Sequence, residues 1–399
     1  MNCQRISFAL SFLLCFDFAS AHTVDFLINQ VAGQDRASLE RMPEFSWDTL
    51  PLYVHVRKAV AFTPEELKFL AAHPLITFEK TTGSESYDST DAGTIKAAEA
   101  VKQINPAAKV LFYRNVIVHY SGYSFDQQLE AIRKPFLVDK QGNDKLIRGR
   151  VSAYDLGNDL VRKWWVDSMA AVCNRDSIDG LFLDGNVKVL TPFLKSNLPN
   201  GKKDEVIQGF DQMMRQTRET LKPNKLMVAN ILRARFADGG IEFIDRFDGS
   251  YLEGFEHTVG GMSKADYIAK GISSAQKAAS QGKIIALSLN IGASSIGEGI
   301  DEVGGTLKDL ASVSQERLDY CIALFLVMAD RYSYLCIHDG YDVNAGASKL
   351  WMHSFPEYKK RLGRPTAPAE RKGYQYSREF EYASVRLDIE TGKGRIEWK

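Results

Sequence analysis

The stretch Gly180-Leu181-Phe182-Leu183-Asp184-Gly185-Asn186, GLFLDGN, puts one carboxylate at the end of an apolar run and glycine directly after it. Residues 178–183 read as a strand buried on both faces, the habit of a parallel sheet covered by helices. A charge at the end of such a strand is costly unless the strand ends at water. The stretch therefore predicts a parallel α/β sheet with Asp184 at the mouth of a cavity.

Seven more runs share this character: LYVHVRK (52–58), LITFEK (75–80), KVLFYRNV (109–116), LMVANIL (226–232), FDGSYLEGF (247–255), KIIALSLN (283–290) and YSYLCIHD (332–339). Amphipathic stretches lie between them at 92–104, 160–172, 204–221, 263–280 and 315–329. Thr63-Pro64-Glu65-Glu66 opens a further helix with an N-cap residue, proline at the first helical position and acids in the first turn. RARFADGGIEFIDR, before the sixth strand, reads as a weak helix at best. Alternation of strand and helix requires parallel strands joined by right-handed crossovers. Eight such units over roughly 300 residues predict a (β/α)8 TIM barrel over 50–365, not an open doubly wound sheet. The loop after the first strand also lacks the glycine-rich phosphate fingerprint of a nucleotide-binding sheet.

The flanks read differently. Residues 1–21 have the order of a secretory signal: Arg5, an apolar run from Ile6 to Phe18, then Ala19-Ser20-Ala21. That run is shorter than the roughly 20 residues a membrane span needs. The expectation is a secreted or periplasmic chain beginning near His22, with 22–49 wrapped along the barrel. Residues 117–157 form a long insertion, expected as an ordered lid or rim. Residues 366–399 alternate apolar and polar around Thr391-Gly392-Lys393-Gly394, the pattern of a β-hairpin cap.

Composition narrows the partners. The chain has 399 residues, 45% hydrophobic and 25% charged, an ordinary globular balance. Fifty basic and fifty acidic residues cancel, so no field draws it to nucleic acid or an anionic membrane. Beyond the signal, Cys173, Cys321 and Cys336 are too few and too scattered for a disulfide framework or a zinc site, and read as buried thiols, with a single bridge as the alternative.

In a barrel of this kind the reacting groups sit where strands end. The fourth strand ends in Asp184, with Asn186 beyond, and the sixth in Glu253. The other tips offer Arg57 and Lys58, Glu79 and Lys80, Tyr113, Arg114 and Asn115, Asn230, Asn290, and His338 and Asp339. Such a ring of hydrogen-bonding groups among aromatics suits a sugar, whose edges are polar and whose faces are apolar. Two carboxylates across one cavity are the minimum equipment for glycoside hydrolysis. The plain alternatives are a turn residue for Asp184 and an ion pair with Arg233 or Arg235 for Glu253. Asp179 and Asp248 precede their strands' apolar cores and are expected to stabilise the bottom face.

A metallohydrolase barrel would need paired histidines on its first strand, and His55-Val56-Arg57 does not supply them, so no metal or cofactor is expected. No Gly-x-Ser-x-Gly elbow supports a serine hydrolase.

The ordered set LYVHVRK, TFEKTTG, VLFYRNVIVHY, IDGLFLDGN, VANILRARF, DGSYLEGFE, GKIIALSLN and YSREFEYASVRLDI resembles the bacterial glycoside hydrolases grouped as hypothetical glycosyl hydrolase family fifteen, over nearly the whole mature chain. It is more distantly similar to polygalactosaminidase-like barrels. That resemblance implies Asp184 as nucleophile or stabilising carboxylate and Glu253 as general acid/base. The expected function is a secreted glycoside hydrolase acting on a poly- or oligosaccharide. Arg57, Lys80, Arg114, Asn115, Asn186, Asn230 and Asp339 are expected to hold sugar hydroxyls, and Tyr113, Tyr251 and Tyr341 to stack on the ring. The rivals are a secreted glycan-binding barrel without catalysis and a lyase using Lys80 or Tyr113 as base.

Overall fold

The computed structural model describes residues 40–256, 261–291, 313–344 and 350–399. The signal-like segment and most of the expected N-terminal wrap lie outside them. Pro43–Lys399 form one compact unit.

Eight strands occur in the expected places: β1 (Val54–Val56), β2 (Leu75–Phe78), β3 (Lys109–Asn115), β4 (Gly180–Asp184), β5 (Leu226–Asn230), β6 (Gly249–Leu252), β7 (Ile284–Asn290) and β8 (Ser333–His338). They pair in parallel in sequence order. A parallel bridge from Leu52 to Leu335, with Tyr53 N–H donating to Leu335 C=O at 3.1 Å, closes the sheet into a barrel. Helices α1 (Pro64–Ala71), α2 (Thr90–Ile104), α4 (Asp159–Cys173), α6 (Lys202–Thr220), α7 (Lys264–Ser280) and α8 (Gln315–Met328) surround it, with short helices α3 (Asp126–Glu130) and α5 (Asn186–Leu190) in loops. The link from β5 to β6 forms only a 3-10 turn, Ile241–Arg246, and among the described residues the helical turns after β8 are all 3-10.

Local chemistry fixes these elements. Thr63 caps α1 in a reciprocal box with Glu66, and Glu66 also takes Lys58 Nζ at 2.7 Å, so the cap ties the helix to the end of β1. Asp179 and Asp248 act at the bottom of the barrel, as expected. Asp179 Oδ2 accepts the Val110 N–H at 2.8 Å and pairs with Lys102; Asp248 Oδ2 accepts the Met227 N–H at 2.8 Å and pairs with Arg218. Each acid satisfies a strand's first orphan donor. Cys173, Cys321 and Cys336 are buried free thiols.

Two flanking elements go beyond the sequence reading in detail. The C-terminal cap contains the expected hairpin, β11 (Ala383–Asp388) and β12 (Lys393–Trp398), and extends it to a four-stranded antiparallel sheet with β9 (Glu370–Lys372) and β10 (Gln375–Glu379), in the order β12-β11-β10-β9. All three β9 residues are exposed, so that edge strand carries no alternation to betray it. The insertion is a packed structure: Val118 bridges Ala153, Phe136 bridges Tyr154, and Tyr123, Phe125, Leu129, Leu137 and Tyr154 are buried.

Candidate active site

Asp184 closes β4 and is partly exposed, so the strand does end at an opening. Four donors converge on its carboxylate. Oδ2 accepts from the Tyr113 hydroxyl at 2.8 Å and Asn115 Nδ2 at 3.0 Å; Oδ1 accepts from the Gly185 N–H at 2.7 Å and Asn230 Nδ2 at 3.2 Å. Burial pushes this carboxyl up, but the Lys188 and Lys80 ammoniums and the Tyr113 and Gly185 donors outweigh it and hold Asp184 below its usual range. Register explains the convergence: Asn115 lies directly opposite Asp184 across the β3/β4 ladder. Asn115 is itself fixed, because its Oδ1 accepts the N–H groups of Ile117 and Val118 at 3.1 and 2.7 Å.

Glu253 lies one residue beyond β6. Its Oε1 accepts from Asn230 Nδ2 at 2.6 Å and from Arg233 Nη2 at 3.0 Å. The ion pair with Arg233, one of the plain alternatives for this residue, is therefore present alongside the link to Asp184. Because one nitrogen lies 3.2 Å from Asp184 Oδ1 and 2.6 Å from Glu253 Oε1, the sum of the two bounds the gap between these oxygens at about 5.8 Å.

Below the pair, the barrel is filled with rings. Tyr113 stacks on Phe182 at 5.7 Å, and Phe182 meets His55 and Tyr251 edge-on at 4.9 and 5.0 Å. Tyr341 stacks on His338 at 4.3 Å, and its hydroxyl is 2.5 Å from that of Tyr251. To one side, Glu79 gathers basic side chains: Lys80 Nζ at 3.2 Å, Arg57 Nη1 at 3.4 Å and His55 Nε2 at 3.8 Å. Arg57 Nε also reaches Asp342 at 3.6 Å, and Lys80 lies 5.0 Å from the Tyr120 ring centre and 5.4 Å from that of Tyr113. Burial pushes Glu79 up, and Lys80, His55 and Arg57 together pull it far below the carboxylate range. Burial alone would lower Lys80, but Glu79 raises it above the usual lysine value.

Several expected sugar ligands have other places. Arg114 does not face this site: it is 1% exposed, its Nη2 donates to the Tyr154 hydroxyl at 2.7 Å, and it sits among the rings of Tyr123, Phe125 and Trp164 on the far side of β3. Alternation along a strand requires this once Tyr113 and Asn115 face inward. Asn186 is fully buried, and its Nδ2 donates to Leu183 C=O at 2.8 Å and Asn230 C=O at 3.4 Å, tying β4 to β5. Tyr113 and Tyr251 are each 1% exposed, so neither presents a face for stacking. Asn115 and Asn230 hold carboxylates through their amide nitrogens. Asp339 is buried at the end of β8. Arg57 and Tyr341 are partly exposed, and Lys80 is buried beside Glu79. Gly185 makes room for Asn115: with φ at 82°, a Cβ there would lie 2.4 Å from Asn115 Oδ1.

Glu79 was expected only as one of the strand-tip residues, and Tyr120, His55 and Phe182 were not among the expected site residues. Glu79 had a readable signal, since it lies two positions after Thr77 on the same strand face as an inward His55 partner would require. The rings had none beyond parity.

No group of three or more His, Cys, Asp or Glu among the described residues could hold a metal ion. A cavity of about 780 Å³ lies along β1 and β8 beside residues 44–50 and 350–358, and neither Asp184 nor Glu253 lines it. No described helix is long and apolar enough to cross a membrane.

With this geometry in place, the comparison with known proteins is specific at one level. Residues 102–384 match the model of hypothetical glycosyl hydrolase family 15, and the chain belongs to that family. No curated protein matches it. Among solved structures it is similar to the maltogenic α-amylase AmyB of Thermotoga neapolitana, at 15% identity and TM-score 0.47 over 85% of this chain and 86% of that one. It is also similar to Ega3 of Aspergillus fumigatus in complex with galactosamine, at 11% identity and TM-score 0.44 over 74% and 94%. The GH36 α-galactosidase AgaA of Geobacillus stearothermophilus gives 9% identity and TM-score 0.47 over 88% and 49%.

Proposed function

We propose that the protein is a secreted, retaining glycoside hydrolase of poly- or oligosaccharides, with Asp184 as nucleophile and Glu253 as general acid/base. The observation that carries this reading is the pair of contacts from Asn230 Nδ2, 3.2 Å to Asp184 and 2.6 Å to Glu253. Retaining enzymes hold their two carboxyl groups about 5 to 5.5 Å apart, whereas inverting ones need roughly 6.5 to 9.5 Å to admit a water. A ceiling of about 5.8 Å between the facing oxygens suits direct attack.

The roles follow from the partners. Asp184, held ionised by four donors, forms a bond to the anomeric carbon as the glycosidic bond breaks. Those donors also stabilise it as the leaving carboxylate in the second step. Glu253, held at Oε1 by two N–H donors, carries the transferable proton. That proton goes to the departing oxygen, and Glu253 then takes one from the water that releases the sugar. Arg57 and Tyr341 contact the glycan.

The test is hydrolysis of a panel of bacterial and plant polysaccharides by the parent, Asp184→Asn and Glu253→Gln, with the first-formed anomer read by proton NMR. The expected result is cleavage with retained configuration, lost by several orders of magnitude in both variants. Survival of cleavage in either variant removes that residue from the mechanism. Binding without cleavage favours the glycan-binding reading, and products absorbing in the near ultraviolet favour a lyase.

A further inference from the structure

Asn230 ends β5 opposite Tyr251 and is 4% exposed. Its Nδ2 carries two hydrogens, and the structure gives each a carboxylate, Asp184 Oδ1 at 3.2 Å and Glu253 Oε1 at 2.6 Å. Its Oδ1 is buried and has no hydrogen-bond partner among the described residues. An unsatisfied buried oxygen costs roughly 1 to 3 kcal/mol. The opposite orientation of the amide would set a carbonyl oxygen against two carboxylates, so electrostatics decides which end faces them. The backbone is held in turn, since Asn186 Nδ2 reaches the Asn230 carbonyl at 3.4 Å.

We infer that Asn230 is a positioning residue, a tie that fixes the separation of the two carboxylates and couples their titration, and that it is not a sugar ligand. The inference rests on the hydrolase reading for its consequence but not for its test. A donor to an ionised carboxylate favours the ionised form, so one amide lowers the acidity midpoint of both acids. It also keeps Asp184 from turning away from Glu253 when Glu253 takes a proton, which happens in every catalytic cycle of a retaining enzyme.

The test needs no substrate. Carbon-13 NMR follows the Asp184 and Glu253 carboxyl carbons against pH in the parent and in Asn230→Ala, with signals assigned by Asp184→Asn and Glu253→Gln. The expected result is an upward shift of both midpoints, by about 1 unit for the loss of one charged hydrogen bond. Asn230→Asp adds a like charge beside both groups and should raise them further. Asn230→Ser keeps a hydroxyl and serves if the alanine variant does not fold. An Asp184 midpoint within experimental error of the parent's in a folded variant overturns the inference. On a cleaved glycan, Asn230→Ala should lower kcat with KM little changed; a rise in KM at constant kcat would make Asn230 a sugar ligand and also overturn it. If the parent cleaves nothing, the hydrolase reading fails while the shift in midpoints still decides the role of Asn230.

Discussion

The Tyr113 hydroxyl donates to Asp184 Oδ2 at 2.8 Å from within the barrel core, where burial first and then the Asp184 charge push the phenol well above its usual range. It therefore remains a donor at every working pH. Tyr113→Phe removes that donor while keeping the ring on Phe182. Asp184 should titrate higher, and kcat/KM on any cleaved glycan should fall about tenfold to a hundredfold, the worth of one hydrogen bond to a charge. Thermal unfolding should move little. An unchanged rate would mean that the remaining three donors suffice.

Gly185 makes the same point from the backbone. Its φ of 82° disfavours any L side chain by about 1 to 2 kcal/mol, and a Cβ would fall 2.4 Å from Asn115 Oδ1. Gly185→Ala should therefore push Asn115 off Asp184, lowering stability by about 2 kcal/mol in urea titration and reducing activity well beyond the loss of folded protein. A variant that loses stability but keeps its specific activity would show that Asn115 is not needed at the carboxylate.

Much of this was readable in the sequence for a physical reason. Strands buried on both faces appear as contiguous apolar runs, and so all eight stood out, with Thr63-Pro64 marking the start of α1. The polar residues at their tips were also readable as a set. Their division of labour was not, because it depends on register and parity. Tyr113, Arg114 and Asn115 are consecutive, yet two face Asp184 and the one between them faces Trp164, 50 residues later in the chain. That Asn115 meets Asp184, and that Asn230 reaches both acids, are properties of the ladders β3/β4 and β5/β6. The edge strand β9, Glu370-Arg371-Lys372, is charged throughout and gave no strand pattern at all.

His338 contributes to the stability of the barrel in mild acid. Burial, and then the neighbouring His55, depress it to about 3, while Glu79 opposes them. In the unfolded chain a histidine titrates near 6.5. The unfolded state therefore binds the proton first, and stability is complete above pH 6.5 and declines as pH falls toward 3. The loss from this group between pH 7 and 5 should approach about 2 kcal/mol. His338→Phe should flatten that part of the profile. Asp184 and Glu79, depressed carboxyls, act in a lower window: their contribution is present above about 4 and is lost only as pH falls further. Equal slopes between pH 7 and 5 in parent and variant would assign the decline to another group.

Glu79 is the anchor of the charges on the β1 and β2 side. Glu79→Gln leaves Lys80 and Arg57 beside each other with their shared carboxylate gone, and removal of one member of a buried ionic cluster typically costs about 3 to 5 kcal/mol. The side chains here are 9 to 13% exposed, so the lower end applies. The deficit should appear at pH 7 in urea unfolding and persist to pH 4, because the parent carboxyl stays ionised well into acid. A deficit below about 1 kcal/mol would mean that water or Asp342 compensates the two cations.

Arg114 offers the test of how the insertion is held. Its guanidinium lies 4.1 Å from the Tyr123 ring centre, 5.0 Å from that of Phe125 and 5.5 Å from that of Trp164, with Tyr154 as hydrogen-bond acceptor and Asp126 at 4.0 Å. Four of these partners, Tyr123, Phe125, Asp126 and Tyr154, belong to the insertion, and its rings stack and its oxygens accept in ways that suit a flat, delocalised cation. Arg114→Lys preserves the charge but not the plane, and its ammonium is more strongly hydrated than the cage can satisfy. It should therefore lower stability by about 2 kcal/mol and open residues 117–157 to limited proteolysis before the barrel core is cut. Cleavage at the same rate and the same sites as in the parent would show that the apolar contacts of Tyr123, Phe125 and Leu129 hold the insertion without the cation.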